Sequence, residues 1–181
     1  MSSVCRMGNG GARPSAAKFL GVASDTLYLV RHAKAGERAK WEGDDVLRPL
    51  SKKGWRQAEA LAVRLAPLVS PTSVLVSSPY VRCRQTLEPL DRAVSLGIRE
   101  NSCLAEGYDR DGALELITTL PTGSVLCSHG DVIPDVMAAL QRRGTEFVTD
   151  PDWRKATVWV LSRTGDSVET AACWPPPPDG D

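Results

Sequence analysis

Thr26-Leu27-Tyr28-Leu29-Val30-Arg31-His32-Ala33 alternates, turns apolar, and then stops on a guanidinium, an imidazole and a small residue. The apolar part reads as a buried strand. A polar residue directly after such a strand lies at its carboxyl end, which is where open parallel sheets place ligands. The only other histidine of the 181 residues follows a second run of the same kind, Val125-Leu126-Cys127-Ser128-His129-Gly130. This pairing predicts a phosphate pocket shared by two imidazoles, with the planar donor fork of Arg31 beside them.

Working outward, the apolar run Val74-Leu75-Val76 leads into Ser77-Ser78-Pro79-Tyr80-Val81-Arg82-Cys83-Arg84-Gln85-Thr86. Pro79 is placed to open a helix. Arg82, Gln85 and Thr86 then share a face that looks over the sheet's carboxyl edge, while Arg84 turns to solvent. A strand expected over Gly97 to Cys103 puts Glu106 on the same rim. Nucleophilic attack by His32 on phosphorus requires a neutral ring fixed in one tautomer, with one nitrogen donating and the other presenting its lone pair. Phosphoryl transfer also needs several cationic donors around the equatorial oxygens, for which Arg31, Arg82 and His129 are the candidates. An ester's leaving oxygen needs a proton that no arginine supplies, and Glu106 is the candidate donor.

The remaining pattern sets the fold. Ser51 caps an amphipathic helix over Lys52 to about Ala66, stopped by Pro67. Ser73 to Ser77 reads as a strand, Pro79 to Val94 as a helix interrupted or kinked near Pro89, Asp111 to Leu120 as a helix ended by Pro121, and Ser124 to Ser128 as a strand. Asp131 to Arg143 is helical, with Pro134 in its first turn. Strands at Thr157 to Ser162 and Ser167 to Cys173 flank the turn Arg163-Thr164-Gly165-Asp166. This order predicts an α/β fold with three layers: a mainly parallel sheet, helices on both faces and an antiparallel edge strand. The expected boundaries are a disordered N-terminal extension over 1–24, one catalytic domain over 25–174, and a Pro-rich tail over 175–181. Between Ala33 and Leu47 lies a long charged loop, from which Lys34, Arg38 and Arg48 could reach substrate or simply be solvated. Arg48 and Lys155 are the candidate rim residues. Trp41 could cover a substrate.

Composition narrows the function classes. Lys plus Arg equals Asp plus Glu at 22 each, so the bulk positive charge of a nucleic-acid binder is absent. Five scattered cysteines without a Cys-x-x-Cys pair fit a reducing compartment, and the expected location is cytoplasmic. With two histidines and no cluster at ligand spacing, neither a metal nor another cofactor is expected. No segment approaches the roughly 18 apolar residues of a membrane span. A cysteine-based phosphatase needs an arginine at a set distance after its nucleophile, but those positions hold Gly11, Pro89, Asp109, Ile133 and Asp179.

Taken together, these elements resemble the histidine phosphatase (phosphoglycerate mutase-like) superfamily. Its Arg-His-Gly signature corresponds to Arg31-His32-Ala33, where Ala33 is similar to the short SixA-like branch. Its Leu-Ser-x-x-Gly-x-x-Gln-Ala element is present as Leu50-Ser51-Lys52-Lys53-Gly54-Trp55-Arg56-Gln57-Ala58, and its Ser-His-Gly as Ser128-His129-Gly130. The resemblance implies His32 as nucleophile, Arg31, Arg82 and His129 as phosphate clamp, and Glu106 as proton donor. Trp153 to Trp159 is also similar to the phosphatase domain that accompanies Nudix domains in actinobacterial MutT-like enzymes, although no Nudix box occurs here. The expected activity is metal-independent hydrolysis of a small phosphate ester or nucleotide through a phosphohistidine. The alternatives are a SixA-type phosphatase acting on a phosphohistidine protein, and a non-catalytic phosphate-binding module.

Overall fold

The computed structural model describes residues 25–108 and 110–178. The extension expected over 1–24 and the tail positions 179–181 lie outside the described residues. Strand β1 (Asp25–Arg31) buries Leu27, Tyr28, Leu29 and Val30 in succession, as a strand covered on both faces must. Its alternation divides the core. Leu27 and Leu29 enter one apolar cluster, and Tyr28 and Val30 enter the other.

Tyr28 and Val30 pack beneath helices α1 (Lys52–Leu65) and α2 (Val81–Val94), which supply Leu61, Leu65, Leu87 and Leu90. Leu27 and Leu29 meet Ile117 and Met137 from α3 (Arg110–Thr119) and α4 (Val132–Arg142). The Ser51 hydroxyl accepts from the Gly54 amide and starts α1 as expected. Helix α2 runs through Pro89 rather than stopping there. Pro89 withholds one donor from the carbonyl a turn earlier, but it lies between buried Leu87 and Leu90, whose packing keeps the helix continuous.

The sheet adds β2 (Leu75–Ser77), β3 (Ile98–Glu100), β4 (Val125–Ser128), β5 (Glu146–Phe147), β6 (Val158–Thr164) and β7 (Ser167–Trp174). The order is β3-β2-β4-β1-β6-β7-β5, with the first four parallel to one another. The hairpin β6–β7 joins β1 through antiparallel β6, so the antiparallel strand is flanked on both sides. The two-residue β5, which nothing in the sequence signals, closes that rim parallel to β7. The strand expected over 97–103 shrinks to three residues, because Asn101 accepts from the Cys103 amide and bends the chain into a 3-10 turn at Ser102–Leu104. In register, Arg31 pairs with Ser128 and Ser77 with Cys127, which levels the carboxyl ends of three strands.

Trp159 of β6 is fully buried, with Phe147 and Trp153 each at 5.2 Å between ring centroids. Trp159→Ala should cost about 3–5 kcal/mol of stability, seen as a lower urea midpoint in equilibrium unfolding. A midpoint within error of the parent would show that the three rings do not carry this part of the core.

Candidate active site

His32 follows β1 directly and is 5% exposed. Its amide donates to the Ser128 carbonyl at 3.0 Å, and the next amide, Ala33, donates to Thr86 Oγ1 at 3.0 Å. The ring is fixed by Nδ1, 2.7 Å from the Ala33 carbonyl oxygen. A carbonyl only accepts, so the proton sits on Nδ1 and the lone pair on Nε2. Burial pushes the His32 pKa well below the usual imidazole value. The Ala33 carbonyl opposes the shift, while His129, Arg82 and Lys155 add to it. The ring is therefore neutral at pH 7.

A cavity of about 380 Å³ opens over this ring, and Arg31, Arg82, Glu106 and Lys155 are in its wall. Arg82 is fully buried on the inner face of α2. Its Nη2 donates to Glu106 Oε2 at 2.8 Å, and its Nη1 donates to the Asp45 carbonyl oxygen at 2.8 Å. Glu106 also accepts from Arg38 Nη2 at 2.7 Å and 2.9 Å. The Arg31 guanidinium donates to the Trp153 carbonyl and lies flat against Gly130, where any Cβ would collide with it. The two imidazoles meet edge to face at 5.3 Å between centroids. His129 is 1% exposed and lies under the cavity rather than in its wall. Its Nδ1 is 3.4 Å from the donor-only Arg82 Nη2, so its proton is on Nε2, 2.8 Å from Ser78 Oγ.

The structure thus brings Arg31, His32, Arg82, His129 and Glu106 to one place. Glu106 arrives there on the turn after the 3-10 segment rather than at a strand end. Both candidate rim residues also line the cavity. Arg48 is 4% exposed and is held by Asp45 Oδ1 at 2.7 Å and the Gly36 carbonyl at 2.7 Å. Lys155 rides on a turn in which Ala156 takes a left-handed φ of 65° and donates its amide to the Arg31 and His32 carbonyls. Arg84 is the solvent-side arginine, ion-paired with Glu100 at 3.2 Å. Trp41 does not line the cavity, because its Nε1 donates to the Asp44 carbonyl within its own loop.

The sequence reading missed Asp45 and the purpose of the Leu50-to-Ala58 element. Asp45 accepts from Arg48 and Arg38 and lies 3.0 Å from Arg82. The Arg48 hydrogen bond, then those of Arg38 and the charge of Arg82, hold its carboxyl well below the usual carboxylate range. The Leu50-to-Ala58 element grips the backbone of one residue, Lys34. The Ser51 amide and hydroxyl both donate to the Lys34 carbonyl at 2.9 Å, and the Lys34 amide donates to Gln57 Oε1 at 3.0 Å. A Cβ at Gly54 would collide with that carbonyl. Spacing alone could have suggested a helix start here, but not what it holds.

These elements match a known architecture. The histidine phosphatase superfamily (branch 1) model aligns with residues 27–111. Over that segment the chain carries the pattern of that superfamily. Among individual relatives it is 34% identical over 164 residues to the 8-oxo-(d)GTP phosphatase of Mycolicibacterium smegmatis, covering 87% of this chain and 50% of that protein. The chain therefore spans half the length of this relative. A solved structure from Nakamurella multipartitia, assigned as a phosphohistidine phosphatase SixA, is 27% identical with a TM-score of 0.58, covering 86% and 98% of the two chains. The protein histidine phosphatase SixA in complex with tungstate shares the fold, with a TM-score of 0.63 at 17% identity over 82% of this chain and 94% of that one.

Asp45→Asn should release the 36–48 loop, with amide hydrogen exchange there faster by about tenfold while β1 and β4 stay protected. The depressed carboxyl contributes in full above about pH 4 and is lost as the pH falls below it, so the parent loop should loosen in acid and the variant loop should not. Equal exchange in the two proteins at neutral pH would remove Asp45 from the loop's anchorage.

Proposed function

We propose that this chain is a metal-independent phosphatase that hydrolyses small phosphorylated substrates through a phosphohistidine at His32. The observation that carries this reading is the neutral, single-tautomer imidazole in the wall of a cavity that also holds Arg31, Arg82 and a carboxyl group. Nε2 attacks phosphorus and a P–N bond forms as the P–O bond to the leaving group breaks. A phosphate that enters as its monoanion gives its proton to the Glu106 carboxylate, which passes that proton to the leaving oxygen. Water then attacks the phosphohistidine, the P–N bond breaks back to the neutral ring, and the Glu106 carboxylate takes the water's proton. Arg31 and Arg82 hold the charge of the transferring group, whose oxygens take the places that the Asp45 and Glu106 oxygens hold on Arg82, and His129 positions the Arg82 guanidinium from below.

The named activities of the mycobacterial relative and of the Nakamurella protein support phosphoryl chemistry and leave two substrate classes. Glu106 on the cavity wall favours esters and nucleotides, because an alkoxide or phosphate leaving group gains more from a proton donor than an imidazole does. The catalytic domain is taken as 25–174 with the tail beyond it. Among the described residues no helix is long and apolar enough to cross a membrane. A small substrate met in the cytoplasm, rather than a nucleic acid or a membrane, fits the balanced charge.

Brief incubation with an aryl phosphate should leave an acid-labile, base-stable phosphoryl group on His32, and His32→Ala should abolish it. Arg82→Ala and His129→Ala should each slow transfer by about two orders of magnitude or more. Glu106→Gln should slow ester turnover; equal turnover would remove it as the acid. Because protonation of His32 would consume the attacking lone pair and its pKa lies well below 6.5, phosphoenzyme formation should hold from pH 7 down past that value. An adduct that forms at another residue, or none at all, would overturn the mechanism.

A further inference from the structure

Glu106 stands on a turn rather than on a strand or helix, yet a proton donor works only while its oxygen is held within hydrogen-bond reach of the leaving atom. The segment that carries His129 fastens this turn on both sides of Glu106. Two residues before it, the Leu104 carbonyl accepts from Ser128 Oγ at 2.8 Å. One residue after it, the Gly107 amide donates to Asp131 Oδ2 at 2.8 Å. Gly107 takes a φ of 79°, a left-handed turn that glycine makes readily.

Ser128 is fully buried, whereas Asp131 is exposed. Asp131 directly precedes α4, where an aspartate ordinarily accepts from the amides of its own first turn. Its backbone is already helical, at φ −92° and ψ −47°, and the His129 carbonyl takes the Ile133 amide. The Asp131 side chain makes no capping bond to α4 and crosses to the Glu106 turn instead. It lines the His32 cavity together with Arg31, Gly130 and Glu106. Burial lowers the Arg31 pKa, and the charge of Asp131 opposes that shift. One carboxylate thus serves both the clamp arginine and the turn of the acid.

We propose that Asp131 is a positioning residue for proton transfer, holding the Glu106 turn where the Glu106 carboxyl meets the leaving oxygen. This rests on the reading of Glu106 as the proton relay in the attack by His32. When an incoming phosphate takes the Arg82 donors, Glu106 gives up its ion pair with that buried arginine. Its place is then set by exposed Arg38 and by the backbone ties at Leu104 and Gly107. The tie next to Glu106 itself is the one that Asp131 makes.

The test uses leaving groups. A nitrophenolate departs with little help whereas an alkoxide needs its proton, and kcat/KM extends as far as departure of the leaving group. In the full chain, Glu106→Gln should lower the ratio of kcat/KM for an alkyl phosphate to that for a nitrophenyl phosphate, and Asp131→Ala should lower the same ratio by about tenfold. Asp131→Asn keeps an oxygen that accepts from the Gly107 amide and loses the charge, so it should restore most of the ratio. In the Glu106→Gln background, Asp131→Ala should lower it by less than about twofold further, because both residues act on one proton. Substitution at this exposed position leaves the core intact. An equal loss on both substrates in Asp131→Ala, no rescue by asparagine, or a full further loss in the Glu106→Gln background would overturn the positioning role. A ratio lowered in Glu106→Gln but not in Asp131→Ala overturns that role alone. A ratio unchanged in Glu106→Gln overturns Glu106 as the proton relay, and the role of Asp131 with it.

Discussion

Where β1 and β4 end side by side, the His32 amide donates to the Ser128 carbonyl at 3.0 Å, and the carbonyls of Arg31 and His32 take the Ala156 amide on the other flank. Those few backbone bonds fix the height of one imidazole against two neighbouring segments. The Arg31–Ser128 register brings His129 to the same level, and the Ser77–Cys127 register does so for Ser78, which holds His129 Nε2. Because side chains alternate along a strand, a one-residue slip would send Leu27 and Leu29 into the wrong layer and turn Arg31 away from Gly130. The hydrophobic division of β1 and the geometry of the site are therefore one constraint.

Burying guanidinium groups is costly unless each finds a partner, and the site shows how the chain manages it. Arg82, fully enclosed, is answered by Glu106 and Asp45, which in turn draw in Arg38 and Arg48. The charged loop after His32 is thereby organised by ion pairs rather than by a hydrophobic face. Those carboxylate oxygens sit where an anionic substrate has use for the same donors. Carboxylates thus supply to Arg82 the partners that the proposed chemistry assigns to a phosphoryl group.

Much of this was legible in the sequence, because strand tips and helix faces are periodic features. The apolar runs before His32 and His129 and the helical spacing of Arg82, Gln85 and Thr86 predict that these residues meet at one end of the sheet, and the structure brings His32, His129 and Arg82 together there. Gln85 and Thr86 turn out to serve the backbone, accepting from Leu50 and Ala33. Asp45 was invisible because its partners are scattered in sequence, and one acid in a charged loop reads as solvated surface. Glu106 was read as following a strand end, but Asn101 had already turned the chain. Pro89 signals an interruption that the continuous helix does not show, and β5 is too short to carry any pattern. What escaped is partly long-range, as in the pairing of Asp45 and Glu106 with Arg82, and partly a local hydrogen bond that periodicity does not register, as in the turn at Asn101.

The tail is anchored where β7 ends, with Trp174 resting 5.9 Å from Tyr28 and under the Arg64 guanidinium at 3.7 Å. The prolines that follow help to wall a second cavity of about 760 Å³, which shares Arg31, Lys34 and Lys155 with the first but not His32 or Arg82. The surface beside the site is thus shaped in part by chain beyond the last strand, where changes of sequence can remake the wall without disturbing the strand tips that carry His32 and His129.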